Sequence, residues 1–308
     1  MWSREELAVQ RIADGGRSWD LDRGASLRYP FDQRSNRPIA VDACPCGATL
    51  WLGSAQRLDP ATPGRSTSGL IARPNTMIQV RRSQNRGHAN FGWLDARYTF
   101  SFASYHDPDF MGFSKLRVLN QDLIQPGQGF PTHAHQNMEI ITYMLDGILE
   151  HRDSMGNGSQ IRPGEVQLMS AGSGVTHSEF NASPTSYAHL LQMWIQPAEK
   201  GLSPRYDQRA FSTQERNGKF CRVVSPDGAD GSLEIGQDAS MYAALLEPEA
   251  KMEHHPPAGR SGWLHVARGN LLLNGHFLSQ GDGAAIRDEP MLSFEGRQDA
   301  ELILFDLP

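Results

Sequence analysis

From Met77 onward the chain alternates short apolar runs with turn residues. Runs of Val, Ile, Leu, Tyr and Phe are separated by Gly, Pro, Asn and Asp, and no long stretch follows the 3.6-residue period of an amphipathic helix. Many short strands joined by such turns are typical of a β-sandwich or β-barrel. The pattern therefore predicts an all-β fold, with strands at residues 116–123, 139–145, 164–169, 187–195, 241–246, 262–267 and 300–305.

A weak internal repeat divides this all-β region into two copies. Gly147 in EIITYMLDGILEH corresponds to Gly269 in SGWLHVARGNLLLNG, each between two apolar runs. Gly164 in RPGEVQLMSAG corresponds to Gly281 in SQGDGAAIRDE. We therefore predict two tandem barrels, the first over residues 77–210 and the second over residues 211–308.

Residues 1–76 have a different composition. They contain ten Arg and no Lys, with scattered Pro, Gly and Ser and no sustained period of strand or helix. Such a segment buries too little apolar surface to offset the entropy lost on ordering. We predict a poorly structured N-terminal extension, in which Cys44 and Cys46 lack the second pair that a metal clip would need. The folded unit is expected to begin at Met77.

Composition and charge exclude several classes of function. The chain has 308 residues, of which 39% are hydrophobic, a net charge of −6 and a pI near 6.0. These values describe a globular protein without a basic surface for nucleic acid. No apolar run approaches the ~20 residues that cross a bilayer. Three cysteines and no apolar leader suit a reducing cytoplasm. We expect a cytoplasmic monomer that binds neither nucleic acid nor membrane.

Two pairs of polar residues interrupt the apolar pattern of the first copy. His133 and His135 are two residues apart, as are His177 and Glu179, so each pair lies on one face of its strand. Residues on one face of paired antiparallel strands can meet, and three imidazoles with one carboxylate suit a divalent first-row metal. The four residues therefore predict a metal site. Glu139 has the same parity as the first pair, so periodicity alone leaves both carboxylates as candidate ligands.

The segments around these residues resemble the two motifs of the cupin fold. GQGFPTHAHQNME, residues 127–139, resembles the first motif, and PGEVQLMSAGSGVTHSEFN, residues 163–181, resembles the second. Ser170 stands where proline is usual, and His177 follows Gly172 two residues later than in the common pattern. These departures and the HxE ending resemble the pirin family. The similarity continues through RGHANFGWLDARYTFSFASYHDPDFMGF, EHRDSMGN, SPRYDQRAF and LILFDLP, and it is specific to bacterial pirins assigned as quercetin 2,3-dioxygenases.

The resemblance implies a β-bicupin with one divalent transition metal in the first barrel. That metal is commonly Fe(II), although this type of site also accepts Ni, Co, Mn, Cu or Zn. By motif match, the ligands are His133, His135, His177 and Glu179. The second carboxylate, Glu139, is then expected to accept a hydrogen bond from a ligand imidazole. His151 and His189 lie on or beside predicted strands and could support the ligands, while Trp194 is expected in the core.

The second copy lacks the same residues. Alignment on Gly269 places His255 at the position of His133 and Pro257 at the position of His135. Alignment on Gly281 places Phe294 at the position of His177. We therefore expect no metal in the second barrel, and we expect His254 and His255 to form a polar turn.

Three functions are compatible with this reading. The first is a dioxygenase that cleaves a flavonol such as quercetin with O2, with Glu179 taking the proton of the 3-hydroxyl group. The second is a non-catalytic, iron-binding regulator whose redox state is read by a partner protein. The third is an oxygenase for another small phenol. The sequence leaves these alternatives open, because a fold does not determine a substrate.

Overall fold

The structure is a computed structural model that describes residues 77–308. The predictions made for residues 1–76, including Cys44 and Cys46, lie outside the described residues. The described chain is nearly all β-strand and forms two barrels of similar topology, each made of a seven-stranded sheet and a four-stranded sheet. The prediction of an all-β bicupin is confirmed. We number the strands β1 to β22 in chain order.

The first barrel carries the predicted metal ligands. Its seven-stranded sheet has the order β12 (Arg205–Ala210), β9 (Glu165–Ser170), β6 (Glu139–Asp146), β11 (Ala188–Ile195), β4 (Leu116–Ile124), β3 (Leu94–Tyr98), β2 (Gly87–Asn90). Its four-stranded sheet has the order β5 (Gly129–His135), β10 (Val175–Asn181), β7 (Leu149–Asp153), β8 (Gly158–Ile161).

The second barrel repeats this arrangement. Its seven-stranded sheet has the order β1 (Ile78–Arg81), β20 (Gly283–Arg287), β17 (Ser261–Arg268), β22 (Ala300–Leu307), β15 (Ser240–Leu246), β13 (Cys221–Ser225), β14 (Leu233–Glu234). Its four-stranded sheet has the order β16 (Lys251–His254), β21 (Leu292–Gly296), β18 (Asn270–Leu273), β19 (His276–Ser279). The short helix α1 (Thr213–Arg216) leads into this barrel, and 3-10 turns lie at Ser83–Asn85 and Ala229–Gly231.

One strand departs from the division predicted from the sequence. That division assigned β1 to the first barrel, but β1 pairs antiparallel with β20, with Ile78 opposite Ile286. Both isoleucines are buried in the core of the second barrel. By pairing with β20, β1 covers the edge of that strand, which would otherwise expose unpaired backbone groups. Because the partner strand lies two hundred residues away, local pattern could not reveal it.

Three apolar cores hold the molecule together. One lies between the two sheets of the first barrel, and a second lies between the two sheets of the second barrel. The third lies between the two seven-stranded sheets. On β6, Ile140 and Met144 face the first core, whereas Ile141 and Tyr143 face the third. A strand buried on both faces reads as a continuous apolar run, which explains the sequence of β6.

Candidate metal centre

Two neighbouring strands bring the three predicted histidine ligands together. β5 and β10 pair antiparallel with His133 opposite His177, and His135 lies on the same face of β5. The ring centroids are 4.4 Å apart for His133 and His177, 4.8 Å for His133 and His135, and 4.9 Å for His135 and His177. One nitrogen from each ring lies within 4.8 Å of the others. The parity argument for these strands therefore predicts the observed cluster.

Glu179 lies in a second group that shares His177 with the first. Its carboxylate and ring nitrogens of His151 and His177 all lie within 4.8 Å of one another. A bulge interrupts the β5–β10 ladder between His177 and Glu179. At this point Gly129 packs directly against the backbone of Glu179, where a Cβ would collide with the carbonyl oxygen. The glycine therefore permits the close strand approach that places the carboxylate beside the histidines.

The donor atoms of this site lack other partners. His135 Nδ1, His177 Nε2 and Glu179 Oε1 are buried, and none of them has a hydrogen-bond partner among residues 77–308. A buried polar atom left unsatisfied costs about 1–3 kcal/mol. His133 Nδ1 lies 2.8 Å from the carbonyl oxygen of Pro131 and can donate to it, which leaves Nε2 with its lone pair. Three nitrogens and one oxygen thus fit a divalent cation.

The histidines are uncharged at neutral pH, as metal binding requires. Burial holds the pKa values of His135 and His177 well below 6.5, and the neighbouring imidazoles lower them further. Burial also lowers the pKa of His133. A cation therefore does not have to displace protons from these rings near pH 7.

The expected role of Glu139 was wrong. Its Oε2 accepts a hydrogen bond from the Ser170 hydroxyl at 2.7 Å, and the backbone N–H of Gly236 donates to the same carboxylate. Glu139 therefore points away from the imidazoles, on the face of β6 that packs towards the second barrel. Parity failed because β5 and β6 belong to different sheets, and Asn137 between them has a left-handed φ of 55°. Side chains alternate between two faces within a strand, but this alternation does not continue across the turn from β5 to β6.

A histidine–aspartate pair takes the role that was expected of Glu139. The side chains of His151 and Asp153 on β7 are fully buried, with His151 Nε2 3.1 Å from Asp153 Oδ2. Burial alone would raise the pKa of Asp153, but hydrogen bonds from Asn157 and His151 outweigh it and lower that pKa. Because His151 Nε2 donates to Asp153, its Nδ1 is the nitrogen that faces His177 Nδ1, at 3.5 Å, and can accept from it. This arrangement leaves His177 Nε2 free for a metal.

Two further side chains at the site were not singled out from the sequence. Gln192 Nε2 donates to Glu179 Oε2 at 2.8 Å, and Gln167 Nε2 lies 3.4 Å from His151 Nδ1. The only available signal was their inward parity on apolar strands. The HxD spacing of His151 and Asp153 was a stronger signal. His189 lies elsewhere, against Gln121 and Asp146.

The second barrel has no comparable cluster within the described residues. β21 pairs with β16 as β10 pairs with β5. Four residues after their turn glycines, His151 and Leu273 lie opposite Glu179 and Phe294, so Phe294 corresponds to Glu179. Leu292, opposite His254, then corresponds to His177, opposite His133. The expectations of His255 at the position of His133 and of Phe294 at the position of His177 were therefore wrong. The β5–β10 ladder has a bulge between His177 and Glu179 that the β16–β21 ladder lacks, so His254 rather than His255 takes the position of His133. His254 ends β16 rather than forming a turn, and only His255 is exposed.

Comparison with known proteins relates both barrels to one family. The family model named Pirin matches residues 79–195, and the Quercetinase C-terminal cupin domain matches residues 222–307. None of the helices in the described part of the chain could cross a membrane.

This chain aligns with almost the full length of its relatives. Quercetin 2,3-dioxygenase of Escherichia coli K12 is 51% identical over 232 residues, which are 75% of this chain and 99% of the relative. A pirin-like protein of Caulobacter vibrioides is 41% identical over 232 residues, again 75% of this chain and 99% of the relative. The crystal structure of the E. coli bacterial pirin YhhW in complex with nickel(II) has 50% identity and a TM-score of 0.72, covering 75% of this chain and 99% of that one. Together with the cluster described above, these relationships support a metal-dependent cupin dioxygenase with one divalent metal ion. The chain belongs to the pirin family.

Proposed function

We propose that this protein cleaves a flavonol such as quercetin with O2, at one Fe(II) ion held by His133, His135, His177 and Glu179. The observation that carries the proposal is the buried set of donor atoms without protein partners, His135 Nδ1, His177 Nε2 and Glu179 Oε1. The relatives support the substrate class, because the E. coli relative is named quercetin 2,3-dioxygenase. When bound, the ion supplies Lewis-acid activation of the substrate hydroxyl and orients it.

Glu179 is the residue that we assign to proton transfer. Its Oε2 already accepts from Gln192, while Oε1 has no partner in the part of the chain that the structure describes. A base must lie within hydrogen-bond reach of the proton that it removes. A carboxylate offers about four lone-pair sites, so Glu179 can bind the metal through Oε1 and still accept the proton of the flavonol 3-hydroxyl group.

The E. coli relative, which is named quercetin 2,3-dioxygenase, favours an enzyme over a regulator. A cavity lies beside the site. It has a volume of about 690 Å³ and is lined by residues of β7 and β8, including His151, Asp153 and Ser159. Pockets for small ligands usually measure about 300–1,000 Å³. His151 lines this cavity and lies next to His177 and Glu179, whereas none of the four proposed ligands lines it. We further propose that the protein acts as a cytoplasmic monomer.

The test is anaerobic loading with Fe(II), followed by quercetin and then O2. We expect loss of the flavonol absorbance together with release of about one CO per quercetin consumed. The matched control is His133→Ala with His177→Ala, which should give neither signal. Metal binding without CO release would contradict flavonol cleavage and favour either the regulator or an oxygenase for another phenol.

A further inference from the structure

Gln192 joins the two sheets of the first barrel at the candidate metal site. It lies on β11 of the seven-stranded sheet and donates from Nε2 to Glu179 Oε2, on β10 of the four-stranded sheet, at 2.8 Å. Its other end, Oε1, lies 3.3 Å from Trp194 Nε1. An indole N–H can only donate, so Trp194 requires the carbonyl end of the amide. The NH2 end of Gln192 is thereby directed at Glu179.

This contact distinguishes the two oxygens of Glu179. Oε2 is occupied by the amide hydrogen, whereas Oε1 is buried and has no partner among the residues described here. Oε1 is therefore the oxygen at which a cation meets no competing hydrogen bond. The ring of Trp194 also packs edge-on against His135, with centroids 5.0 Å apart and planes at 81°. Two residues of β11 thus contact two predicted ligands on two other strands.

The second barrel provides an internal comparison for this arrangement. Gly147 packs against the Cα of Ala188 at the start of β11, and Gly269 packs in the same way against Ala300 at the start of β22. Counting from these contacts places Leu304 at the position of Gln192. Four residues after the same glycines, His151 and Leu273 lie opposite Glu179 and Phe294, which places Phe294 at the position of Glu179. The carboxylate and the amide that holds it are both absent from the barrel without a metal cluster.

Strand pairing confirms the correspondence. In the first barrel, Asn120, Gln192, Thr142 and Gln167 lie opposite one another in a row across four strands. The matching row in the second barrel is Tyr242, Leu304, Leu264 and Ala284. A barrel of this topology therefore forms without polar side chains in this row. Folding alone does not require Gln192 to be an amide.

We propose that Gln192, oriented by Trp194, is a positioning residue that restricts Glu179 to binding the metal through one oxygen and strengthens metal binding. The proposal rests on the ligand set assigned under the proposed function. Hydrogen-bond partners of metal ligands orient them, and their loss typically weakens metal binding about 10- to 100-fold. Gln192 needs no contact with the metal to act in this way.

The test measures nickel(II) affinity of the full chain by competition with a chelator, and counts nickel ligands by X-ray absorption. Gln192→Leu, which introduces the residue of the second barrel, should lower the affinity about 10- to 100-fold and add a second carboxylate oxygen to the nickel. Trp194→Phe retains an aromatic ring against His135 but removes the N–H. One lost hydrogen bond of about 0.5–1.5 kcal/mol corresponds to a decrease of roughly 2- to 10-fold.

Thr142→Val is the matched control, because Thr142 lies beside Gln192 in the same row and its hydroxyl has no partner within residues 77–308. It should leave the nickel affinity and ligand count unchanged. Wild-type affinity and ligand count in Gln192→Leu would overturn the proposal, as would an equal loss in Thr142→Val. If melting shows that Gln192→Leu does not fold, an unchanged affinity in Trp194→Phe overturns it. Failure of the wild-type chain to bind nickel would instead refute the ligand set.

Discussion

The two barrels of this protein share one topology and differ in what their interiors contain. At corresponding positions, the first has His177 and Glu179, and the second has Leu292 and Phe294. The second interior is a continuous apolar core, whereas the first contains buried polar atoms without partners. Each such atom costs about 1–3 kcal/mol and adds nothing to the fold. The difference shows that a barrel of this topology forms without the polar interior.

Aromatic packing occupies the corresponding end of the second barrel. Phe220 lies 5.1 Å from Phe294 and 5.3 Å from His254, and Tyr242 lies 5.3 Å from His254, between ring centroids. Burial lowers the pKa of His254, so this ring is neutral and behaves as part of the aromatic cluster. The side chains that replace the metal ligands therefore fill the space in which an ion would lie.

The largest expected effect concerns metal content. We expect the wild-type chain to bind one equivalent of Ni(II) or Fe(II), and His133→Ala with His177→Ala to bind none, because the second barrel offers no replacement ligands. Metal analysis after removal of excess ion measures the ratio. Two equivalents in the wild type, with one surviving the double substitution, would show that the second barrel also binds metal.

The next prediction separates the two carboxylates of the first barrel. Glu179→Ala removes both the unpartnered oxygen and the proposed proton acceptor, so turnover should vanish and metal affinity should fall by at least about 10-fold. Steady-state turnover and chelator competition measure the two effects. Near-normal metal affinity and turnover in this variant would refute the assignment of Glu179.

Glu139→Gln should affect stability instead of metal binding. The new amide can still accept from Ser170, but it would present an NH2 group to the N–H of Gly236. A lost hydrogen bond to a charged group is worth about 1.5–3 kcal/mol, so the melting temperature should fall by several degrees. Calorimetry and metal titration of the same sample test this. Loss of metal binding with unchanged melting would restore Glu139 to the metal site.

A smaller effect is expected from acidification of the metal-free protein. Burial depresses the pKa values of His135 and His177 in the folded state, so below pH 6.5 the unfolded chain binds protons that the folded chain does not. The free energy of unfolding should therefore fall as the pH decreases from 6.5, by up to about 1.4 kcal/mol per pH unit for each histidine. Denaturant unfolding between pH 7 and pH 5 measures this slope.

The matched variant is His135→Gln with His177→Gln, which should have a shallower slope. A residual slope is expected from the second barrel, because burial also holds the pKa of His265 well below 6.5. An unchanged slope in the double variant would mean that the cluster does not determine the acid sensitivity.

The smallest effect is expected from shortening the chain. A protein beginning at Met77 should retain its metal and melt within a few degrees of the full chain, because the composition of residues 1–76 does not favour a packed segment. A decrease of more than about 4 °C, roughly 1 kcal/mol for a domain of this size, would indicate that the preceding residues stabilise the barrels.

The sequence by itself determined the features that depend on neighbouring residues. Alternation along one strand placed His133 beside His135 and Glu179 near His177, because side chains two apart share a face. Turn glycines revealed the repeat, since Gly147 and Gly269 adopt left-handed φ values of 79° and 70° where each also packs against a neighbouring backbone. The resemblance to pirins rested on these same local motifs.

Only the tertiary structure decided the features that depend on where separate strands meet. Glu139 turns away from the histidines because the turn between the two sheets interrupts the alternation of side chains between faces. His254, rather than His255, takes the position of His133 because only the first barrel has a bulge between these two strands. Gln192 reaches Glu179 across the barrel, and β1 pairs with a strand two hundred residues away. These contacts follow from sheet closure and strand register, which are set by the packing of the whole chain rather than by residue spacing.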